Sequence, residues 1–124
     1  MVNKKDMLDE IYTHQLDLQT KLGNIKKMNS SPQMKQQFIN QMLLACHEEV
    51  TEIMRETAYK NPEFMPFGWK KNQTFNNELF KEEIIDLIHF VMNLCIVADM
   101  KPKEIYERYI NKNKENHKRQ EVGY

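Results

Sequence analysis

Residues 47–54 read HEEVTEIM, and two of their acids interrupt an apolar helix face. Side chains three or four residues apart share one face of an α-helix. Glu49 and Glu52 therefore continue a stripe that begins at Phe38 and Met42. An ionised carboxylate is costly to bury without a partner. The stretch indicates a long helix whose inward face carries acids that need either a proton or a cation.

A second pair of acids lies on another apolar stripe further along the chain. Glu83 and Asp86 interrupt a face formed by Leu79, Phe90 and Val97. A single Glu on a helix usually faces solvent, but two pairs that are each in phase with an apolar stripe are harder to explain in that way. Carboxylate oxygens at close quarters suit Mg²⁺ or Mn²⁺, and protein-bound Mg²⁺ is usually shared with substrate phosphates. The two pairs predict a metal site for a phosphate-bearing ligand.

The pattern of the whole chain favours an all-α, four-helix bundle-like fold. Only 3 glycines and 4 prolines occur in 124 residues, which suits one domain over residues 1–124. Ser31 is a good N-cap and Pro32 fits the first helical position. The third helix is apolar on nearly all sides, so we expect it to be the most buried. The predicted helices are residues 5–27, 32–59, 77–99 and 102–120.

Composition excludes several classes of protein. The formal net charge is zero, so bulk charge favours neither nucleic acid nor an anionic membrane as a partner. No apolar run is long enough to span a bilayer, and the N-terminus MVNKKDMLDE lacks the apolar core of a signal peptide. Cys46 and Cys95 each lie in an apolar run and are interpreted as buried thiols, not as a disulfide. We expect a cytoplasmic protein.

A polar and cationic face ends the chain in the sequence KNKENHKRQEVGY, residues 112–124. Lys112, Asn116 and Arg119 follow one another at helical spacing. Such a face is normally a solvated surface, but next to a metal site it could clamp a polyphosphate. Trp69 and Lys70, in the aromatic loop between the second and third helices, could add an aromatic plate and a cation.

These motifs together resemble those of the dimeric, all-α dUTPases of the MazG-like nucleotide pyrophosphohydrolase superfamily. Glu49 and Glu52 match the first metal motif, and EEIIDLIHF at residues 82–90 matches the second. The most specific match is K-N-x-x-N-x-x-R-Q-x-x-G-Y at residues 112–124. LDLQTKL, residues 16–22, is similar to the base-contacting motif, and Trp69-Lys70 to an aromatic-Lys element.

The resemblance implies a role for each matching residue and a homodimer that completes the fold. Glu49 would orient or deprotonate the attacking water. The Mg²⁺ ligands, with Mn²⁺ as a possible substitute, would be Glu49, Glu52, Glu83 and Asp86. The phosphate contacts would be Lys112, Asn116, Arg119 and Lys70. The base and sugar contacts would be Gln19, Asn93, Trp69 and His89. For His89, a satisfied histidine on a buried helix is the alternative.

The resemblance implies hydrolysis of dUTP to dUMP and diphosphate by a metal-activated water. The first motif of the family often continues with Asn after its Leu, whereas this chain has Gly23 and then Asn24. The same chemistry on dCTP or another, modified dNTP is therefore the main alternative. More distant alternatives are a ferritin-like di-iron bundle, which would need a second E-x-x-H, and a non-enzymatic helical interaction module.

Overall fold

The computed structural model describes residues 6–67 and 72–123, and in these two ranges the chain is all-α, as predicted. Within them, no helix has the length and apolarity needed to cross a bilayer. The helices are α1 (Met7–Lys21), α2 (Asn24–Met28), α3 (Pro32–Arg55), α4 (Asn77–Val97) and α5 (Pro102–Glu121).

Polar side chains fix the starts of three helices. Asp6 accepts from the backbone N–H of Asp9 at 2.9 Å and forms a capping box with it at the start of α1. Ser31 caps α3 with Pro32 in its first turn, as predicted. Asn76 caps α4 by accepting from the backbone N–H of Leu79 at 3.1 Å. These caps satisfy N–H groups that have no partner inside the helix.

The first predicted helix, residues 5–27, is divided in two, so its predicted length is wrong. α1 ends at Lys21, and Gly23 has a φ of +77°, a left-handed conformation that glycine adopts without strain. The chain restarts as α2, which buries Met28 in the core. Helical spacing continues across this break, which is why periodicity alone did not reveal it.

α3 ends at Arg55, four residues before the predicted end at Tyr59. The segment that follows is held in place by side-chain hydrogen bonds. The side-chain amide of Gln73 donates to the carbonyl of Arg55 at 3.0 Å. The carboxamide of Asn61 bonds both the backbone N–H and the backbone C=O of Gln73. These bonds hold the start of the segment leading to α4 beside the end of α3.

The core lies where α3 and α4 pack antiparallel, with α1 and α2 against them. Its buried apolar residues are Tyr12, Met28, Phe38, Met92, Cys95, Ile96 and Val97. Most of them come from α4, as expected for the most buried helix. Both cysteines are free, as predicted, although Cys46 is only half-buried. The close antiparallel packing places the acids of α3 opposite those of α4.

Much apolar surface remains exposed on the other side of this core. α1 and α4 border a cavity of about 630 Å³. The exposed apolar side chains that line it are Met7, Ile11, Leu18, Ile85 and Ile88. α5 has no buried residue and rests mainly on α1. The single chain therefore leaves the outer faces of three helices uncovered.

The packing predicts very different effects for two phenylalanine substitutions. Phe38→Ala removes a side chain that is 8% exposed in the core, whereas Phe67 is 92% exposed. Phe38→Ala should lower the free energy of unfolding by about 3–5 kcal/mol, since it leaves a cavity. The matched control Phe67→Ala should change it by no more than about 0.5 kcal/mol. Urea denaturation followed by circular dichroism measures both, and equal effects would contradict this core.

Candidate active site

The packing of α3 on α4 brings three of the four predicted metal ligands together. Glu49, Glu83 and Asp86 each offer one carboxylate oxygen, and these oxygens all lie within 4.8 Å of one another. Glu49 and Glu83 are half-buried, and Asp86 is exposed. The fourth acid, Glu52, is close enough to contribute to the raised pKa values of both Glu49 and Glu83. The two pairs that lie far apart in sequence thus form one cluster of four carboxylates.

The electrostatics of this cluster are unfavourable for four negative charges. Burial, and then the carboxylates of Glu52, Asp86 and Glu83, raise the pKa of Glu49 to about 7. The pKa of Glu83 is raised first by burial and then by Glu52. Among the described residues, no lysine or arginine contributes to either shift. Without a cation, the cluster holds protons more tightly than ordinary carboxyl groups do.

Two oxygens of the cluster lack the partner that a buried polar atom requires. Oε2 of Glu49 and Oε2 of Glu83 are both buried and make no hydrogen bond. A buried acceptor without a partner costs about 1–3 kcal/mol, and more when it is charged. A divalent cation that takes oxygen ligands would satisfy both atoms and offset the repulsion. The residues present therefore fit a hard metal ion.

Three of the predicted base and sugar contacts, Gln19, Asn93 and His89, belong to a polar layer between α1 and α4. Asn93 and Gln19 are buried, and Gln19 accepts from Asn24 Nδ2 at 2.7 Å. His89 is exposed, and its Nδ1 lies 2.7 Å from Gln15 Oε1. Asn24, which follows Gly23, is thus bonded to Gln19 across the break between α1 and α2.

Gln15 is a member of this layer that sequence reasoning missed. Its Nε2 donates to Asn93 Oδ1 at 2.7 Å, so it joins Asn93 to His89. Helical spacing could have revealed the burial of Gln15. It lies four residues before Gln19 and three after Tyr12, so all three side chains share the buried face of α1. Gln is usually a surface residue, which hides such a signal in a single sequence.

The predicted phosphate clamp lies on α5. Lys112, Asn116 and Arg119 are exposed on α5. Lys112 Nζ lies 4.0 Å from Glu115 Oε2, and the described residues that line the cavity beside Asn116 and Arg119 all belong to α5. The other two predicted contacts, Trp69 and Lys70, lie outside the described residues.

Comparison with known proteins gives two kinds of match. A family model described as dUTPase matches residues 7–104. The chain is 43% identical over 44 residues to the dCTP pyrophosphatase of Enterobacteria phage T4, and 48% identical over 44 residues to that of Enterobacteria phage LZ5. Each match covers 36% of this chain and 26% of the relative, so the chain spans about a quarter of these relatives. No solved structure matches it significantly.

The acid cluster predicts how stability depends on pH without metal. The pKa of Glu49 rises from 4.5 to about 7 on folding, so the folded chain binds a proton there that the unfolded chain has lost. In EDTA, stability should therefore fall as pH rises from 4.5 through 7. Glu49→Gln should flatten this fall, whereas Glu48→Gln, at the exposed neighbouring position, should not. Urea midpoints across this pH range measure the effect, and a wild-type stability that rises with pH would contradict it.

Proposed function

The chain belongs to the all-α dUTPase family, and we propose that it is a metal-dependent nucleotide pyrophosphohydrolase whose main substrate is dUTP. The observation that carries this proposal is the cluster of Glu49, Glu83 and Asp86 with its two unpartnered oxygens. Carboxylates held in this way fit a metal that binds nucleotide phosphates. The reaction would convert dUTP and water to dUMP and diphosphate.

The residues of the cluster suggest which side chains would bind the metal and which would accept the proton of the water. Mg²⁺, with Mn²⁺ as a substitute, would be held by Glu49, Glu52, Glu83 and Asp86. When bound, the ion neutralises phosphate charge and lowers the pKa of a coordinated water. Glu49 orients the attacking water and accepts its proton. The water oxygen bonds to the α-phosphorus, the bond to the bridging oxygen breaks, and diphosphate leaves.

Recognition of the nucleoside would fall to the polar layer between α1 and α4. Gln19, Asn93 and His89, with Trp69, would contact the base and sugar. A carboxamide can match the edge of a base, and a mismatched edge leaves a buried polar group unpaired. The whole chain is proposed to be one domain serving this reaction.

Hydrolysis of dCTP is the second candidate function. Both phage relatives are named as dCTP pyrophosphatases. Gly23 also stands where the resemblance leads us to expect an Asn, and the Asn of this chain, Asn24, follows one position later and bonds to Gln19. The ferritin-like alternative is disfavoured, because the cluster found among the described residues contains three carboxylates and no histidine.

We also propose a homodimer, because α1 and α4 leave apolar side chains exposed within the described part of one chain. No lysine or arginine of the described ranges contributes to the raised pKa values of Glu49 and Glu83. The cationic motif lies on α5, which has no buried residue. Exposed apolar side chains of α1 and α4 offer a surface that a second copy would cover. In this arrangement, Lys112, Asn116 and Arg119 of the partner subunit bind the phosphates.

Diphosphate release from dUTP, dCTP, dTTP, dATP, dGTP and UTP tests the reaction. Wild type should hydrolyse dUTP with Mg²⁺ and lose turnover in EDTA. Glu49→Gln should lower kcat by about 10²–10⁴-fold, because it removes the proton acceptor. Glu48→Gln is the matched control and should keep full activity. Preference for dCTP would support the second candidate, and no turnover by a folded wild type would overturn both.

Mixing two inactive variants tests whether a second copy completes the site. Glu49→Gln and Arg119→Ala should each be inactive, and mixed after subunit exchange they should recover about a quarter of wild-type activity, since half of the twofold dimers would carry one intact site. The control mixture of Glu49→Gln with Glu83→Gln should recover none, because both lesions fall in the same acid cluster. No recovery in the first mixture, or a monomer by light scattering, would contradict the shared site.

A further inference from the structure

We propose that Gln15 is a positioning residue that fixes the carboxamide of Asn93 and the ring tautomer of His89. The neutral His89 ring then carries its proton on Nδ1 and presents a bare Nε2 to a ligand. The effect on nucleotide binding rests on the proposed function, whereas the tautomer itself does not.

Gln15 connects two helices through a continuous chain of hydrogen bonds. Its side chain is 4% exposed, and that of Asn93 is 2% exposed. Gln15 Nε2 donates to Asn93 Oδ1 at 2.7 Å, and Gln15 Oε1 lies 2.7 Å from His89 Nδ1. One buried carboxamide of α1 therefore bonds two side chains that are one turn apart on α4.

Met42 determines the direction in which these bonds run. The Asn93 Nδ2 atom lies 3.4 Å from the thioether sulfur of Met42, which can accept a hydrogen bond but cannot donate one. Asn93 must therefore turn its nitrogen to Met42 and its oxygen to Gln15. Gln15 in turn presents its nitrogen to Asn93 and its oxygen to His89. The opposite direction would set the Asn93 oxygen against the sulfur, with no hydrogen between two acceptors.

The last bond of the chain fixes the proton on His89. Since Gln15 Oε1 can only accept, His89 Nδ1 must carry the hydrogen. A free neutral imidazole side chain holds its proton mainly on Nε2, so the chain of bonds selects the less common tautomer. His89 is exposed and borders the cavity between α1 and α4. The ligand group that Nε2 accepts from is a hydroxyl or an N–H, as on a sugar or a uracil ring.

The hydrogen-bond direction has a direct spectroscopic test on the full chain. Long-range ¹H–¹⁵N spectra of ¹⁵N-histidine protein at alkaline pH distinguish the two tautomers, and His89→Gln identifies the His89 signal. Wild type should show a protonated Nδ1. Gln15→Met removes both bonds and should return His89 to the Nε2–H form. Gln15→Glu still accepts from His89 but cannot donate to Asn93, so the tautomer should persist.

The matched control is Gln36→Met, since Gln36 is an exposed helical glutamine bonded to Asn40 alone at 2.8 Å. This variant should leave the His89 signal unchanged. Circular dichroism checks that each variant keeps its helices. An Nε2–H form in wild type, or no change in a folded Gln15→Met, would overturn the proposal.

Nucleotide binding separates a positioning role from a packing role. Gln15→Met should raise KM for dUTP, and Kd for dUMP, about tenfold while kcat changes less than about threefold, because uniform binding is lost. Gln15→Glu should recover part of this loss through His89. A shifted tautomer with unchanged binding would overturn the positioning role. A wild type with the expected tautomer but no nucleotide turnover or binding would instead overturn the proposed function.

Discussion

Four carboxylates repel one another where α3 packs on α4, and the stability of this packing depends on how that repulsion is offset. Antiparallel packing of these helices sets Glu49 beside Glu83 and Asp86, with oxygens within 4.8 Å. Two of the oxygens are buried without a partner. Packing that merely filled a core would place apolar side chains here, because they cost nothing to desolvate. The arrangement is therefore stable only with bound protons or a bound cation, and it couples folding to the ligand of the site.

The polar layer between α1 and α4 contrasts with the acids, because hydrogen bonds join its side chains. Gln15, Asn93 and His89 satisfy one another, and Gln19 is bonded to Asn24. A carboxamide offers a hydrogen-bond donor and an acceptor in fixed directions but carries no net charge. These properties suit the proposed recognition of a nucleoside beside a charged phosphate site. α4 carries residues of both groups, and Asp86 and His89 lie only three residues apart on it.

Sequence periodicity predicted the features that depend on helix faces. It placed both acid pairs on inward faces and the N-cap at Ser31 correctly, because each follows from spacing along one helix. It missed the break at Gly23, where spacing continues although the backbone turns. It also missed Gln15, whose role depends on α4 and on the sulfur of Met42. The location of Lys112 and Arg119 relative to the acids depends on how α5 packs, and no pattern within α5 encodes that.

The most direct test of the acid cluster is a crystal structure with Mn²⁺ and the non-hydrolysable analogue α,β-imido-dUTP. Anomalous scattering locates manganese independently of any assumption about its ligands. We expect manganese bound by Glu49, Glu83 and Asp86, with phosphate oxygens of the analogue completing its coordination. Manganese elsewhere on the chain, or a crystal in which these three carboxylates turn away from a bound nucleotide, would contradict it.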